Sequence, residues 1–256
     1  MEKLISKTAE ILIRARHVVA LTGAGISVES GIPPFRGKGG LWEKFDPMEY
    51  AHIDAFIANP AKVWRVLFKE LKTIADRARP NQAHQSLALM EQLGVLKTII
   101  TQNIDGLHQK AGNSDVVEFH GNFAMQRCMD CGGRCETRRL DLARIPPLCD
   151  CGGIYRPEVV FFGEVIPAEA LRRSQRAAAR CDVMLVIGTS AIVQPAAHMP
   201  VMAKEAGAAV IEINPERTPL TDRISDWLIR GRAGDVMGRL ADAVAGKPPP
   251  RAENRD

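Results

Sequence analysis

Three groups of residues in this chain could do chemistry, and the thiols are the most tightly spaced. Cys128-x-x-Cys131 and Cys149-x-Cys151 are separated by seventeen residues. Four thiolates at such spacing can close a tetrahedral zinc site. Gly132-Gly133 and Gly152-Gly153 follow the pairs and permit tight knuckles. The second pair is one residue shorter than the commonest pattern, and Cys135 is a spare thiol that could replace a ligand. Four sulfurs leave no open position for water, so such a zinc would be structural rather than catalytic. The competing reading, four unrelated core cysteines, fits poorly with surroundings this polar. Cys181 heads an apolar run and reads as a small core residue.

The second group is polar and sits at the ends of apolar runs. Thr101-Gln102-Asn103-Ile104-Asp105 follows Val95–Ile100. Asn103 and Asp105 are two apart, so an extended chain points them to one face. An amide and a carboxylate there can hold a carboxamide, a sugar hydroxyl or a water. They can equally cap a strand-to-helix turn. His120 ends the short run Val117–Phe119. Imidazole is the side chain best suited to move a proton near neutral pH, although a lone histidine is more often structural. His17, His52, His84, His108 and His198 have no comparable setting and read as structural. Gly188-Thr189-Ser190 ends Val183–Ile187 ahead of a helix and can offer N–H groups to phosphate. Asn214 closes Val210–Ile213 and can bond a ribose hydroxyl. Val159-Val160-Phe161-Phe162-Gly163-Glu164 is either another sheet strand or an edge that an extended peptide joins by strand addition.

The third group is the stretch Val18–Arg36, VVALTGAGISVESGIPPFR. An apolar run feeds Gly23-Ala24-Gly25, where glycine lets backbone come close to a phosphate. The third glycine of a dinucleotide fingerprint is missing, and Val28 stands in its place. Pro33-Pro34-Phe35-Arg36 then puts an aromatic-cation pair behind Gly31. The loop looks built to hold a dinucleotide and to close over it.

The elements that must position these groups alternate. Strand-like runs cover His17–Thr22, Lys97–Gln102, Val116–His120, Asp182–Thr189, Ala208–Asn214 and Trp227–Arg230. Helical patterns cover Pro60–Ala78, Gln82–Leu93, Ala168–Arg180, Pro195–Ala206 and Asp235–Ala245. The start of the chain reads as an amphipathic helix with Leu4, Ile5, Ile11 and Leu12 toward a core. The alternation predicts an α/β fold, a Rossmann-like parallel sheet with helices on both faces. Two stretches interrupt it. Residues 37–79 hold a loop and helices without a strand, and residues 127–155 are rich in Cys, Gly and Arg. The latter segment cannot build its own core and needs another staple. The division expected is 1–36, 80–126 and 156–246 for the main domain, 37–79 for a loop-and-helix module, 127–155 for a zinc module and 247–256 for a disordered tail.

Composition limits the function class. Hydrophobic residues make up 46% and charged residues 25%, as in soluble globular proteins. The net charge of +4 is too weak to argue for nucleic acid. No run approaches the roughly 18 apolar residues of a membrane span. The first residues are too densely charged for a secretory signal. Six cysteines then suggest reduced thiols or metal, and a cytoplasmic location.

GAGISVESGIPPFR, TQNID, FHG, the two cysteine pairs, VVFFGE, GTS and IN occur in the order seen in sirtuins, the NAD-dependent protein deacylases. The chain resembles that family from about His17 to Ala245. The resemblance implies a Rossmann-like domain, a smaller zinc-ribbon and helical module, and a cleft between them for NAD and an acyl-lysine peptide. It implies that Gly23, Ala24, Gly25, Ser27, Gly188, Thr189 and Ser190 surround the pyrophosphate. Asn214, Asp235 and Val236 would line the adenosine end. Ile32, Ile104 and Asp105 would hold the nicotinamide carboxamide, Phe35 would screen the reactive sugar carbon, and Arg36 would support the closed loop. Asn103 and Gln102 would position the ribose and nearby water. Val160, Phe161, Phe162, Gly163, Glu164 and Val193 would bind the peptide. In that chemistry the amide oxygen attacks the anomeric carbon, nicotinamide leaves, and His120 is general base on a ribose hydroxyl. One structural zinc on Cys128, Cys131, Cys149 and Cys151, no nucleic acid, no membrane and a monomer complete the expectation.

The loop Gly39-Gly40-Leu41-Trp42 resembles the group that includes desuccinylases. Those enzymes carry a Tyr and an Arg where Leu67 and Glu70 stand here. The expected substrates are therefore acetyl-lysine or longer apolar acyl-lysines rather than succinyl-lysine. A mono-ADP-ribosyltransferase and a non-catalytic NAD sensor are the competing classes. His120 and the VVFFGE edge favour deacylation over the first, and the set Asn103, Asp105 and His120 disfavours the second. A dehydrogenase would not need the zinc module, and no acidic residue follows a second strand near position 43.

Overall fold

The computed structural model describes residues 1–35 and 39–246. Arg36 and the tail 247–256 lie outside the described residues. Six strands form one parallel sheet: β1 (Val18–Thr22), β2 (Leu96–Thr101), β3 (Val116–Glu118), β7 (Val183–Ile187), β8 (Ala209–Asn214) and β9 (Trp227–Arg230). Their order is β3-β2-β1-β7-β8-β9. The chain thus builds outward from β1 on one side, then returns to β7 and builds outward on the other. The crevice beyond the carboxyl ends of β1 and β7 is the switch point where ligands bind in such sheets.

Alternation explains why both faces are covered. Val18, Ala20, Val183, Leu185 and Ile187 face one core, with Ile5, Leu12, Leu87 and Leu240 from the helices. Val19, Leu21, Met184 and Val186 face the other, with Ala178 and Met199. The first helix, Glu2–Arg14, buries Ile5, Thr8, Ala9 and Leu12, one stripe at helical spacing.

A second, antiparallel sheet has the order β5-β4-β6: β4 (Gly121–Cys128), β5 (Arg134–Glu136) and β6 (Tyr155–Val159). It extends past residues 127–155 at both ends. β4 has no clear alternation in the sequence because its register shifts between Asn122 and Gln126. A bulge of this kind breaks the period of two that marks a strand. Val160–Glu164 is not a further sheet strand. It bends away after β6, and Phe162 alone bridges to His52.

The two interruptions of the alternating pattern pack on each other. Phe56, Val63, Trp64, Leu67 and Phe68 meet Phe123, Val159 and Phe161 in a third core. The Trp64 and Phe68 ring centroids are 5.2 Å apart, and Phe68 stacks on Phe123 at 5.6 Å. Trp64 also donates its indole N–H to the Tyr155 carbonyl at 2.9 Å. The expected helix 60–78 is interrupted here by a π-helical turn at Trp64–Phe68, between Pro60–Val63 and Lys69–Arg77. Burying five aromatic rings at ~2 kcal/mol or more each gives the small sheet an apolar anchor its own sequence lacks.

Candidate active site

The loops after β1 and β7 meet first. Gly23 N–H donates to the Ile187 carbonyl at 3.1 Å and Gly25 N–H to the Gly188 carbonyl at 2.7 Å. A Cβ on Gly25 would lie 2.7 Å from the Gly188 backbone, and one on Gly23 would lie 2.8 Å from Thr189 Cβ. These glycines are required by the approach of one loop to the other, as well as leaving room for a phosphate. Ala24–Ser30 is a 3₁₀ helix rather than an α-helix packed on its strand. Val28 is 45% exposed on it. Close helix–strand packing is what the third fingerprint glycine serves, and here it is Ile26, not position 28, that packs against the sheet.

Ser27 joins the loop after β1 to the loop after β2. Its Oγ–H donates to Asp105 Oδ2 at 2.8 Å and accepts from Asn103 Nδ2 at 3.1 Å. Asn103 Nδ2 also reaches the Gly23 carbonyl at 3.2 Å. Asp105 Oδ1 accepts the Leu107 N–H at 2.9 Å, so the capping role open from the sequence is filled. Gln102 Nε2 donates to Thr189 Oγ1 at 3.0 Å.

Two histidines read as structural stand behind this network. His84 Nδ1 accepts the Asn81 N–H at 3.3 Å, which puts its proton on Nε2, facing Ser27 Oγ at 3.5 Å. His108 Nε2 lies 2.9 Å from Thr22 Oγ1, and the two rings are 4.9 Å apart. Burial drives His84 down to about 4, against a smaller opposing pull from Asp105. Burial, with His84 adding to it, drives His108 down to about 3. Both rings are neutral near pH 7.

His120 Nδ1 lies 3.1 Å from the Gln102 carbonyl. A carbonyl only accepts, so the proton is on Nδ1 and Nε2 keeps its lone pair. Burial holds His120 below the ordinary histidine value, the Gln102 contact opposing. The His120 carbonyl accepts the Val160 N–H at 2.9 Å, tying the imidazole to the segment after β6.

Ala24, Ser27, Ile32, Phe35, Asn103, Ile104 and Asp105 line one chamber. Leu41, Leu71, Ile74, Ala75 and Phe123 also line it and were not singled out from the sequence. Their signal was readable: Leu71, Ile74 and Ala75 form an apolar stripe on the helix Lys69–Arg77, which buries none of its residues in the core. Phe35 stacks on Trp42 at 5.2 Å, and Trp42 meets Phe162 at 6.4 Å. Lid and bend thus share an aromatic contact.

The remaining residues lie further out. Ser190 is exposed beside the buried Thr189. Asn214 Nδ2 donates to the Glu216 carbonyl at 3.1 Å, and its carbonyl accepts the Gly231 N–H at 3.3 Å. Asp235 is exposed in the first turn of the helix Ala233–Ala245, whereas Val236 points into the core, so only its backbone can face a ligand. Val193 accepts the Ala197 N–H at 2.9 Å. Glu164 turns its carboxylate to Arg156.

The four cysteines converge. Cys128, Cys131, Cys149 and Cys151 have Sγ atoms all within 4.8 Å of one another, with 3.5 Å between Cys128 and Cys151 and 3.7 Å between Cys131 and Cys149. Zn–S bonds of about 2.3 Å at tetrahedral angles place sulfurs about 3.8 Å apart. The set therefore fits zinc, short second pair included. A Cβ on Gly153 would sit 2.6 Å from Cys128 Sγ, so the knuckle has no room for a side chain. Cys135 Sγ is outside the set and reaches the Glu136 carbonyl.

The profile of the Sir2 family matches residues 23–195. The NAD-dependent protein deacylase 1 of Archaeoglobus fulgidus is 48% identical over 246 residues, covering 95% of this chain and 97% of that one. A solved Sir2 homolog–NAD complex superposes with TM-score 0.87 at 45% identity, covering 96% of this chain and 94% of that one. A Sir2–p53 peptide–NAD+ structure superposes with TM-score 0.87 at 35% identity, covering 94% and 98%.

Two outcomes follow from the buried chemistry. Removing zinc should lower the melting temperature far more than the loss of any core aromatic, because structural zinc contributes on the order of 10 kcal/mol. Metal analysis should find one zinc per chain, retained in Cys135→Ser and lost in Cys128→Ser. An unchanged melting profile after verified removal would contradict this role. The depressed pKa values of His84 and His108 mean that only the unfolded chain takes up their protons between about pH 4 and 6.5. Their contribution is thus full above pH 6.5 and is lost as pH falls toward 4. Urea unfolding across this range should show a shallower pH slope in His108→Gln. An identical slope would remove His108 from the acid limb.

Proposed function

The chain belongs to the Sir2 family, and from that membership we propose that it is an NAD-dependent protein-lysine deacylase. It would move the acyl group of an acyl-lysine onto ADP-ribose and release nicotinamide. The carrying observation is His120, with Nδ1 fixed on the Gln102 carbonyl and Nε2 free to accept a proton. NAD bound in the crevice supplies the glycosidic bond that breaks and the ribose that takes the acyl group.

The chain's own residues divide the work. Ala24 and Gly25 backbone, with Gly188, Thr189 and Ser190, hold the pyrophosphate. Asn214, Asp235 and the Val236 backbone take the adenosine end. Ile32, Ile104 and Asp105 hold the carboxamide, and Ser27 acts through Asp105 and Asn103, since its hydroxyl is already bonded to both. Phe35 screens the sugar carbon from water, which matters while a poor nucleophile such as an amide oxygen attacks. Gln102 and Asn103 orient the ribose, and His120 Nε2 takes the hydroxyl proton. Val160–Glu164 and Val193 flank the peptide. Residues 1–36, 80–126 and 156–246 form the NAD-binding lobe, and the 37–79 and 127–155 modules form the other wall of the cleft. The protein acts in the cytoplasm as a monomer on acyl-lysine proteins and needs no nucleic acid. Among the described residues no helix is long and apolar enough to cross a membrane.

The chamber points to the acyl group. Leu67 is buried in the aromatic core, and Glu70 brings a negative charge to the same helical stretch. The wall formed by Leu71, Ile74 and Phe123 is apolar. A succinyl carboxylate would find no cation among these residues and would lose its hydration.

His120→Ala should cut deacylation by ~100-fold or more while NAD binding survives. The acid limb of kcat/KM should lie below pH 6.5, as burial of His120 dictates. Equal turnover in the mutant, or an acid limb above 6.5, would take the base role from His120. Across acetyl-, myristoyl- and succinyl-lysine peptides, succinyl should be slower by about ten-fold or more. Faster succinyl removal would overturn the assignment of the acyl group.

A further inference from the structure

The bend after β6 has little backbone left to offer. Val160 N–H goes to His120, Phe162 N–H goes to the Ala51 carbonyl at 2.9 Å, and Ile53 N–H comes to the Phe162 carbonyl at 3.0 Å. Glu164 N–H closes on the Phe161 carbonyl at 3.1 Å. The Val160 carbonyl and both backbone groups of Gly163 make no hydrogen bond among the described residues. They are the groups an extended peptide can reach, and their directions depend on what holds the bend.

Beyond those backbone bonds, one side-chain ion pair clamps the bend. Arg156, on β6, meets Glu164 with both ends of its fork, Nη1–Oε1 at 2.7 Å and Nη2–Oε2 at 2.8 Å. Nη2 also donates to the Val159 carbonyl at 3.1 Å. Glu164 Oε2 also accepts the Phe161 N–H at 3.0 Å. The guanidinium lies 5.1 Å from the Phe161 ring centroid. The two side chains are 14% and 24% exposed, so water screens the pair little. The carboxylate is thus used inside the protein, and the geometry asks for arginine, since lysine cannot make the paired contact.

We propose that Arg156 is a positioning residue for substrate recognition: through Glu164 it shapes the bend that presents the Val160 carbonyl and the Gly163 backbone to the acyl-lysine peptide. This rests on the deacylase reading above. The NAD-facing loops hang from β1, β2, β7 and β8, and among the described residues no hydrogen bond joins them to the pair. The small sheet is held separately by the four thiols and the aromatic core. Loss of the pair therefore acts on peptide recognition ahead of NAD recognition or the fold.

The test is steady-state kinetics of Arg156→Lys, Arg156→Met and Glu164→Gln with an acetyl-lysine peptide and NAD, with zinc content and melting temperature measured alongside. The peptide KM should rise about ten-fold in each variant, out of proportion to any change in the NAD KM. The double variant Arg156→Met with Glu164→Gln should lose less than the sum of the two single losses, because each single variant already removes the shared ion pair. An unchanged peptide KM, additive losses, or an equal rise in both KM values would overturn the proposal. If Arg156→Met does not fold, Arg156→Lys and the near-isosteric Glu164→Gln decide by the same comparison. A parent protein that releases no nicotinamide and deacylates no peptide would overturn the functional reading itself, and that result is visible before any variant is compared.

Discussion

The backbone contact between Gly25 and Gly188 is the constraint on which the site depends. These residues follow strands that neighbour each other in space but lie far apart in sequence. Their 2.7 Å hydrogen bond closes the switch point of the sheet from both sides. The loop after β2 then ties onto the same place through Asn103 to Gly23 and Gln102 to Thr189. His120 follows because its ring is fixed by the Gln102 carbonyl. A side chain at Gly25 would separate the first two loops and leave the others without a reference.

The other wall of the cleft has a different origin. A parallel sheet grows by adding strand and helix, and neither interruption of that pattern has enough apolar surface to stand alone. Each completes the other instead. The helices supply Phe56, Trp64 and Phe68, and the antiparallel sheet supplies Phe123 and Phe161. Four convergent thiols fix the far end of that sheet. Phe123 faces both this core and the chamber, so the packing that stabilises the wall also shapes the cavity.

How far the sequence could be read follows from which signals are local. The parallel strands were legible because burial on both faces makes continuous apolar runs, as at Val183–Ile187. The polar residues ending those strands were legible for the same reason, since a break in a run marks a loop at the crevice. β4 was not, because its bulge and the buried Gln126 hide the alternation. Leu71, Ile74 and Ala75 were passed over because an apolar helical stripe normally means core, and only the fold shows that this one faces a cavity. The sequence marks His84 and His108 as structural, and both are fully buried. What one sequence could not show is that they stand directly behind the functional loops, a relation that exists only in three dimensions.

That placement carries an electrostatic consequence. A protonated histidine behind Asp105 would cancel the carboxylate's charge, whereas a neutral one leaves it in force. Burial keeps both rings neutral at physiological pH. The Asp105 carboxylate faces the chamber with its two oxygens held by Ser27 and the Leu107 N–H. Surrounded by Ile32, Phe35, Ile104 and Phe123, that charge acts through a medium of low polarity. In the proposed reaction the nicotinamide ring is cationic before it leaves, and positive charge then builds on the sugar carbon. In that reading a carboxylate fixed in advance would favour the transition state more than water could. The polar floor is bonded internally at Ser27, Asn103 and Gln102, while His120 Nε2 makes no hydrogen bond among the described residues. In the proposed reaction the rigid groups would set the field and His120 would move the proton.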